Sequence, residues 1–266
     1  MNVGEPGKGE IRVKHHAVGL NFIDVYFRTG LYPMPLPGGL GMEAAGEVTA
    51  VGEGVTQFKP GDRVAYASRP PGAYAQERVI SADYVVKLPD SVGYEDAASI
   101  MLQGLTAQYL LRRTYRVKAE LAKAHGCDYP IVYTRDNFTQ RVREITNGAG
   151  VPVVYDSIGK DTYVASLDCL APLGLFVSFG NSSGPLPPID SSEFAGRGSL
   201  FFTRPTLFSY IAKRSDLDTM AAELFDVVSS GKVKTNVRQR YALSDAAKAH
   251  EDLEARKTTG STIFLP

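Results

Sequence analysis

The chain has 266 residues, more than one compact domain usually needs, which predicts two domains and a sizeable core. Hydrophobic residues make up 44% and charged residues 22%, a globular composition that excludes a disordered or fibrous protein. Basic and acidic residues number 29 each, so the net charge is zero, which argues against nucleic acid or an anionic membrane as a partner held by bulk charge.

The cysteines and the apolar stretches argue against a disulfide-rich, zinc-binding or membrane-spanning protein. Cys127 and Cys169 lie far apart and belong to no Cys/His cluster, so neither a disulfide framework nor a zinc site is predicted. The most apolar stretch, 163–179, contains Asp168 and Pro172 and does not predict a membrane span. Because the amino end has no basic and apolar leader, the sequence favours a cytoplasmic protein with both thiols in its core.

The first ninety residues are rich in glycine and proline turns. Alternation of apolar and polar residues predicts short strands at 10–15, 47–51, 62–66 and 74–79. Gly-Glu-Gly and Pro-Gly-Asp turns separate some of these strands. Short strands with close turns indicate a small barrel or a partly open β domain.

The pattern changes after residue 90. Helical spacing predicts a long helix over 95–113. Strands then alternate with helices, in the order 130–133, 138–146, 151–156, 161–170 and 174–179. Strands separated by helices predict a parallel sheet with crossover connections. The chain closes with helices at 223–230 and 244–256, the second N-capped by Ser244, and a strand at 262–265.

Three motifs carry a family resemblance. Residues 19–33 read Gly-Leu-Asn-Phe-Ile-Asp-Val-Tyr-Phe-Arg-Thr-Gly-Leu-Tyr-Pro, and 179–184 read Phe-Gly-Asn-Ser-Ser-Gly. Between them, Gly-Met-Glu-Ala-Ala-Gly-Glu-Val at 41–48 runs on to Phe-Lys-Pro-Gly-Asp-Arg-Val at 58–64. Together the motifs resemble the NADPH-dependent quinone oxidoreductases, the zinc-free, zeta-crystallin-like branch of the medium-chain dehydrogenases/reductases, over nearly the whole chain.

The resemblance implies an α/β fold in two parts. A GroES-like, β-rich substrate domain is expected at 1–98 and 239–266. A truncated Rossmann-type parallel sheet, the remnant of the NADPH-binding domain, is expected at 99–238. Relatives dimerise through an edge strand similar to 199–203, so the resemblance also implies a homodimer.

The resemblance also implies a reaction without a metal. Zinc-dependent relatives place a cysteine after the second strand and a histidine inside a Gly-His-Glu motif. Here Asn21 stands approximately at the first place and Met42 at the second, and neither side chain suits zinc. The expected reaction is therefore direct hydride transfer from NADPH to a quinone.

One segment of the family pattern is missing. Relatives have a strand, a glycine-rich turn, a helix and a second strand directly after the helix that ends near Arg113. Here 115–118 leads straight into 119–126, which resembles the helix after that second strand, so about 30 residues, one βαβ unit, are excised at Lys118. The amino end also begins one or two strands into the pattern. Because the lost turn is where backbone amides hold the pyrophosphate, the sequence predicts a chain without that cradle.

The gap leaves three origins open: an incomplete gene model or splice form, a sequence with segments left out, or a natural lineage that abandoned the cofactor. Residues 39–44 formally fit Gly-x-Gly-x-x-Ala, but they lead into the strand-like stretch 45–51 and do not replace the lost turn.

The resemblance assigns roles to nine residues. Asn21 and Tyr26 are expected beside the nicotinamide and the quinone, where an amide and a phenol can orient a carbonyl acceptor. The expected cofactor-binding residues are Thr106, Lys118, Tyr133, Phe179, Asn181, Ser182 and Arg256. Lys118 and Tyr133 match positions that meet the adenosine 2′-phosphate.

Structural roles compete with several of these assignments. Asn21 would also suit a turn cap, Tyr26 and Tyr133 core packing, and Arg256 the carboxyl end of a helix. Asp24 is interpreted as a local cap and His250 as a helix-surface residue. Two other functions stay open, an enone or alkenal reductase and a non-catalytic isoform that retains only dimerisation or binding, while zero net charge makes RNA binding a weak third.

Overall fold

The computed structural model describes residues 3–114 and 128–266. The chain divides into two compact units, Met1–Tyr109 with Leu207–Pro266 and Leu110–Thr206. The functional domain boundaries expected from the sequence, at residues 98 and 238, stay a prediction.

The described residues form strands and helices in both units. The strands are β1 (Glu10–Leu20), β2 (Glu43–Val51), β3 (Arg63–Ala67), β4 (Glu77–Ser81), β5 (Val85–Lys87), β6 (Val151–Asp156), β7 (Leu170–Ser178), β8 (Phe201–Thr203), β9 (Val237–Ala242) and β10 (Ser261–Leu265). The helices are α1 (Phe22–Arg28), α2 (Tyr94–Tyr109), α3 (Phe138–Ile145), α4 (Tyr163–Asp168), α5 (Ser191–Gly196), α6 (Leu207–Tyr210), α7 (Arg214–Ser229) and α8 (Ala246–Glu254). None of the helices in these ranges is long and apolar enough to cross a membrane.

The first unit is built on a seven-stranded sheet. Its order is β5-β3-β2-β1-β10-β9, and β4 also pairs with β1. The pairs are antiparallel except for β9 and β10, which run parallel. Ile11 and Val13 are buried on β1 and alternate with more exposed neighbours, as in a strand with one face on a core. Further along β1, Val18, Gly19 and Leu20 are all buried, and α2 packs on β1 and β2.

The second unit contains a parallel sheet, which confirms the prediction from alternating strands and helices. Its order is β6-β7-β8. Tyr163, Leu167, Leu170 and Phe176 form the centre of its core, with α4 against β6 and β7. Among the described residues, β6 pairs with β7 on one edge and with no strand on the other.

The predicted strand at 130–133 is wrong. The backbone N–H groups of Arg135 and Asp136 both donate to the carbonyl of Val132, which closes a turn. Asn137 then caps α3 by accepting the N–H of Gln140. No described strand lies beside this segment to pair with it, so its β-forming residues have no ladder to join.

Three helix boundaries also differ from prediction. The regular part of the helix predicted to reach residue 113 ends at Tyr109, and a wider turn, Leu110–Thr114, follows. Ser244 is not an N-cap, because a short 3₁₀ turn occupies Leu243–Asp245 and α8 begins only at Ala246. α7 begins nine residues before the predicted start at 223.

Candidate active site

Asn21 lies at the junction of β1 and α1 and is 7% exposed. Its extended backbone lets the chain turn from the strand into the helix. The side-chain Nδ2 donates to Oε1 of Glu43 at 2.6 Å, and Oδ1 accepts from Nε2 of Gln103 at 3.3 Å. Both ends of the amide are therefore engaged, and its orientation is defined.

Asp24 caps α1, as the sequence predicted. Its Oδ2 accepts the backbone N–H of Asn21 at 2.9 Å and the hydroxyl of Tyr74 at 3.2 Å. The other oxygen, Oδ1, is buried and has no hydrogen-bond partner among the residues that the structure describes. Burial raises the pKa of Asp24 to about 7, so the carboxyl holds a proton far more readily than an exposed aspartate.

Glu43 is fully buried at the start of β2. Its Oε2 accepts the backbone N–H of Leu102 in α2 at 2.6 Å, and its Oε1 accepts from Asn21. Burial, together with a smaller effect of the nearby charge of Asp24, raises the pKa of Glu43 to about 8. Two acidic side chains are thus buried on either side of Asn21.

His250, on α8, joins Asn21, Asp24, Glu43 and Tyr74 in one buried polar group through its contact with Tyr74. Its Nε2 lies 2.9 Å from the hydroxyl oxygen of Tyr74, and the two rings meet edge to face. When the single Tyr74 proton goes to Asp24, Nε2 of His250 must be the donor in this contact, which is the tautomer with an unprotonated Nδ1. Nδ1 is buried and has no hydrogen-bond partner within 3–114 and 128–266, and burial lowers the pKa of His250.

The surface position expected for His250 is therefore wrong, since only 2% of the residue is exposed. Tyr74 fills the space between His250 and Phe264 of β10, and this packing explains the burial. Two members of the group, Glu43 and Tyr74, were assigned no role from the sequence. Glu43 could have been identified from the sequence, because it is an acidic residue within the otherwise apolar run from Met42 to Ala45.

Tyr26 lies on α1 and is 8% exposed. Its ring packs against Tyr32, with centroids 5.2 Å apart, and against Phe22 at 6.1 Å. The structure thus places Tyr26 on the helix that Asn21 begins. Its role toward an acceptor stays a prediction.

The expected cofactor residues fall in several places. Phe179, Asn181 and Ser182 are brought together in the loop after β7, at the carboxyl end of the parallel sheet, and all three are half-buried. Thr106 is half-buried on α2, whereas Arg256 is exposed just after α8. Tyr133 is exposed in the turn before α3, and Lys118 lies outside the described residues. Their cofactor roles stay predictions.

The turn after β6 contains backbone N–H groups of the kind that can hold a phosphate. Asp156, at the end of β6, accepts the backbone N–H groups of Ile158 at 2.7 Å and of Gly159 at 2.9 Å. The N–H of Lys160 donates to the carbonyl of Gly184 in the facing loop. These amides are used internally, so the described turn does not fit the diphosphate of a dinucleotide.

Within 3–114 and 128–266, no group of three or more His, Cys, Asp or Glu side chains could hold a metal ion. Met42 is fully buried in the first unit. Cys169 is a buried free thiol as predicted, and Cys127 lies outside the described residues.

A β-rich unit and a unit of parallel strands fit the medium-chain dehydrogenase/reductase class of oxidoreductases, and two family models place the chain there. The sequence model of the alcohol dehydrogenase GroES-like domain matches residues 7–90, and that of zinc-binding dehydrogenases matches 125–263. The α/β fold class expected from the sequence is confirmed. The chain belongs to the zeta-crystallin-like quinone oxidoreductase family of this class.

Three comparisons give the similarity its scale. The chain is 48% identical to the quinone oxidoreductase of Pseudomonas aeruginosa over 98% of this chain and 93% of the relative. It is 40% identical to 2-haloacrylate reductase of a Burkholderia species over 100% of this chain and 93% of the relative. The crystal structure of Escherichia coli quinone oxidoreductase complexed with NADPH matches with a TM-score of 0.96 at 41% identity, covering 100% of this chain and 94% of that one.

The comparison also bears on the missing segment. The alignment with the Pseudomonas relative extends over 301 residues, although this chain has only 266. Part of the relative therefore has no counterpart here. That this part is one βαβ unit at Lys118 stays a prediction.

Proposed function

We propose that this protein reduces a quinone with NADPH as the reductant and without a metal ion. The observation that carries the proposal is the 48% identity to a quinone oxidoreductase over nearly the full length of both chains. The NADPH complex of the similar Escherichia coli enzyme supports the choice of reductant. The two-domain division at residues 98 and 238 and a cytoplasmic location belong to the same proposal.

Asn21 is the proposed contact for the quinone carbonyl. After its bonds to Glu43 and Gln103, the amide retains one N–H of Nδ2 and one lone pair of Oδ1. The remaining N–H can donate to a carbonyl oxygen that gains negative charge during reduction. Tyr26, on the same helix, is proposed to line the same site with its phenol.

The proposed contacts with NADPH lack a backbone cradle for the diphosphate. Thr106, Phe179, Asn181, Ser182 and Arg256 would contact NADPH, together with Lys118 and Tyr133. Since the described turn after β6 does not fit a diphosphate, these residues would hold the cofactor without that cradle. We therefore expect weak binding of NADPH and derive no reaction step through it.

The experiment is an assay of NADPH oxidation with duroquinone, a quinone that does not add thiols readily. The chain is expected to show quinone-dependent oxidation that saturates only at high NADPH concentration. Asn21→Ala should raise the KM for duroquinone by about tenfold, because one hydrogen bond to a charged oxygen is lost. Folded chain without any quinone-dependent oxidation would contradict the proposal.

A second candidate, reduction of an activated alkene, is favoured by the 40% identity to 2-haloacrylate reductase. The same assay with 2-chloroacrylate compares the two substrates directly. If kcat/KM is higher for 2-chloroacrylate than for duroquinone, the preferred acceptor is an activated alkene and not a quinone.

A third candidate is a non-catalytic subunit that retains dimerisation. β8 lies at the edge of the parallel sheet, and Phe201 and Phe202 are 60% and 39% exposed. An exposed apolar edge strand is suited to pairing with the same strand of a second copy. We propose a homodimer through this edge, which the chain could form whether or not it binds NADPH.

A further inference from the structure

We infer that Glu43 is a positioning residue for Asn21, because its buried carboxyl group fixes which end of the Asn21 amide is left for an acceptor. The inference rests on the proposed function only for the use that Asn21 makes of that orientation. The orientation itself follows from a chain of hydrogen bonds in the first unit.

The direction of this chain begins at the backbone. The N–H of Leu102 can only donate, so Oε2 of Glu43 must accept at that contact, over 2.6 Å. Above its pKa of about 8, Glu43 is a carboxylate with no proton to give, so Oε1 must then also accept. The group that faces Oε1 is thereby required to be a donor.

Asn21 satisfies this requirement with its Nδ2, which lies 2.6 Å from Oε1 of Glu43. Its Oδ1 is consequently turned the other way, where Nε2 of Gln103 donates over 3.3 Å. Gln103 is exposed, so its own amide is free to rotate and cannot set the direction. The constraint therefore runs outward, from the Leu102 backbone through Glu43 to Asn21.

The surroundings of Glu43 support this role. Its carboxyl is fully buried, and no ion pair to it is found among the described residues. The titratable groups that act on it are Asp24 in α1 and Tyr74 in the segment before β4. Two N–H donors are therefore the main polar stabilisation of this carboxyl, and both would lose their partner if it were removed.

Glu43→Gln tests the inference with almost no change of shape. The new amide has one oxygen and so cannot accept from Leu102 and Asn21 together, and its NH₂ group must face one of these donors. The backbone N–H of Leu102 is held by α2 and cannot turn over, so the glutamine oxygen stays with Leu102 and the NH₂ group faces Asn21. The Asn21 amide must then turn over or lose its partner. Glu47→Gln, on the same strand and with the same change of charge, is the matched control.

The readout is hydrogen exchange of the Asn21 side-chain amide at about pH 9, where Glu43 is ionised, followed by nitrogen-15 NMR and assigned by its loss in Asn21→Ser. We expect slow exchange in the wild-type chain, about tenfold faster exchange in Glu43→Gln, and wild-type exchange in Glu47→Gln. Gln103→Ala should leave the protected Nδ2 protons unchanged. Unchanged exchange in Glu43→Gln overturns the inference, and so does an unprotected Asn21 amide in the wild-type chain, even if Glu43→Gln does not fold.

Acceptor binding separates this inference from the proposed function. Glu43→Gln should raise the KM for duroquinone about tenfold and leave the KM for NADPH unchanged, a split that general loss of stability would not produce. If the wild-type chain neither binds nor reduces duroquinone, the proposed function fails, while the exchange measurement still decides the role of Glu43. An equal rise in both KM values would contradict positioning.

Discussion

Gly19 allows β1 to approach both α2 and the carboxyl of Glu43. A Cβ at this position would lie 2.3 Å from the carbonyl oxygen of Ala98 and 2.3 Å from Oε1 of Glu43. The first of these atoms belongs to the helix backbone and cannot move aside without shifting α2. The hydrogen bonds around Asn21 therefore depend on Gly19 having no side chain.

We predict that Gly19→Ala lowers the free energy of unfolding by about 1–3 kcal/mol, the usual cost of overpacking a filled core. Urea denaturation measures the change. Gly196→Ala, where a Cβ meets nothing within 4 Å, is the control and should stay within about 0.5 kcal/mol of the wild type. Equal stability of Gly19→Ala and wild type would show that β1 and α2 can separate without cost.

The two buried carboxyl groups also predict how stability depends on pH. Burial raises the pKa of Glu43 from 4.5 to about 8 and that of Asp24 from 3.8 to about 7. The folded chain holds these protons longer than the unfolded chain, so stability falls as pH rises from the ordinary values to the raised ones. His15 acts in the opposite sense, since burial lowers its pKa from 6.5 to about 4 and its contribution is lost only below pH 6.5.

Between pH 6.5 and about 8 the carboxyl groups therefore dominate. We expect the free energy of unfolding to fall there by at most about 1.4 kcal/mol per pH unit for each group, with Asp24 contributing up to about pH 7 and Glu43 up to about pH 8. Urea denaturation across this range is the measurement. Glu43→Gln should reduce the slope, and Asp24→Asn combined with it should nearly remove it. A slope that persists in the double variant would assign the dependence to other groups.

The residues of this group differ in how far the sequence revealed them. Asn21 and Asp24 both lie in the motif at 19–33, and the capping role of Asp24 follows from its position three residues after Asn21. The contacts of Glu43 with Leu102, and of Tyr74 with His250, join residues 59 and 176 positions apart. Such pairs depend on which face of α2 or α8 packs against the sheet, which single-sequence spacing does not determine.

At the scale of elements, alternating patterns predicted strands well where a neighbour exists. Val151–Asp156 is a strand as predicted, with β7 beside it, whereas 130–133 has similar residues but forms a turn without a neighbour. Strand formation depends on pairing, and pairing is a property of the whole sheet. The α7 helix was found only in its second half, although Leu217, Met220 and Ala221 are buried at helical spacing.

β8 provides a test of the proposed dimer at this scale. Phe201→Glu places a charge on the exposed edge strand and should weaken self-association by about tenfold or more, because like charges would meet across a symmetric interface. Sedimentation velocity over a range of concentrations measures it. Leu36→Glu, at a position 83% exposed in the first unit, is the control and should not change the sedimentation. A chain that is monomeric at all concentrations would remove the dimer from the proposal.

At the scale of the whole molecule, family membership was predictable because the motifs at 19–33, 41–48 and 179–184 are long and specific. The parallel sheet was predictable from the order of strands and helices. The expected loss of a βαβ unit stays a prediction, and among the described residues β6 has no strand beside it on one edge. What single-sequence reasoning could not supply is the hydrogen bonding of the turn after β6, where Asp156 uses the amides of Ile158 and Gly159.

The predicted loss of one βαβ unit leads to a testable prediction about cofactor affinity. Insertion of the corresponding strand, glycine-rich turn, helix and strand of the Pseudomonas relative at Lys118 should tighten NADPH binding by at least about a hundredfold. Two or three backbone N–H groups that bond a charged diphosphate, each contributing about 1.5–3 kcal/mol, account for this gain. Titration of NADPH fluorescence on both chains measures it, and an insert with its glycines changed to valine is the control. If the present chain binds NADPH as tightly as the chain with the insert, its diphosphate site lies elsewhere and the proposed loss of the cradle is wrong.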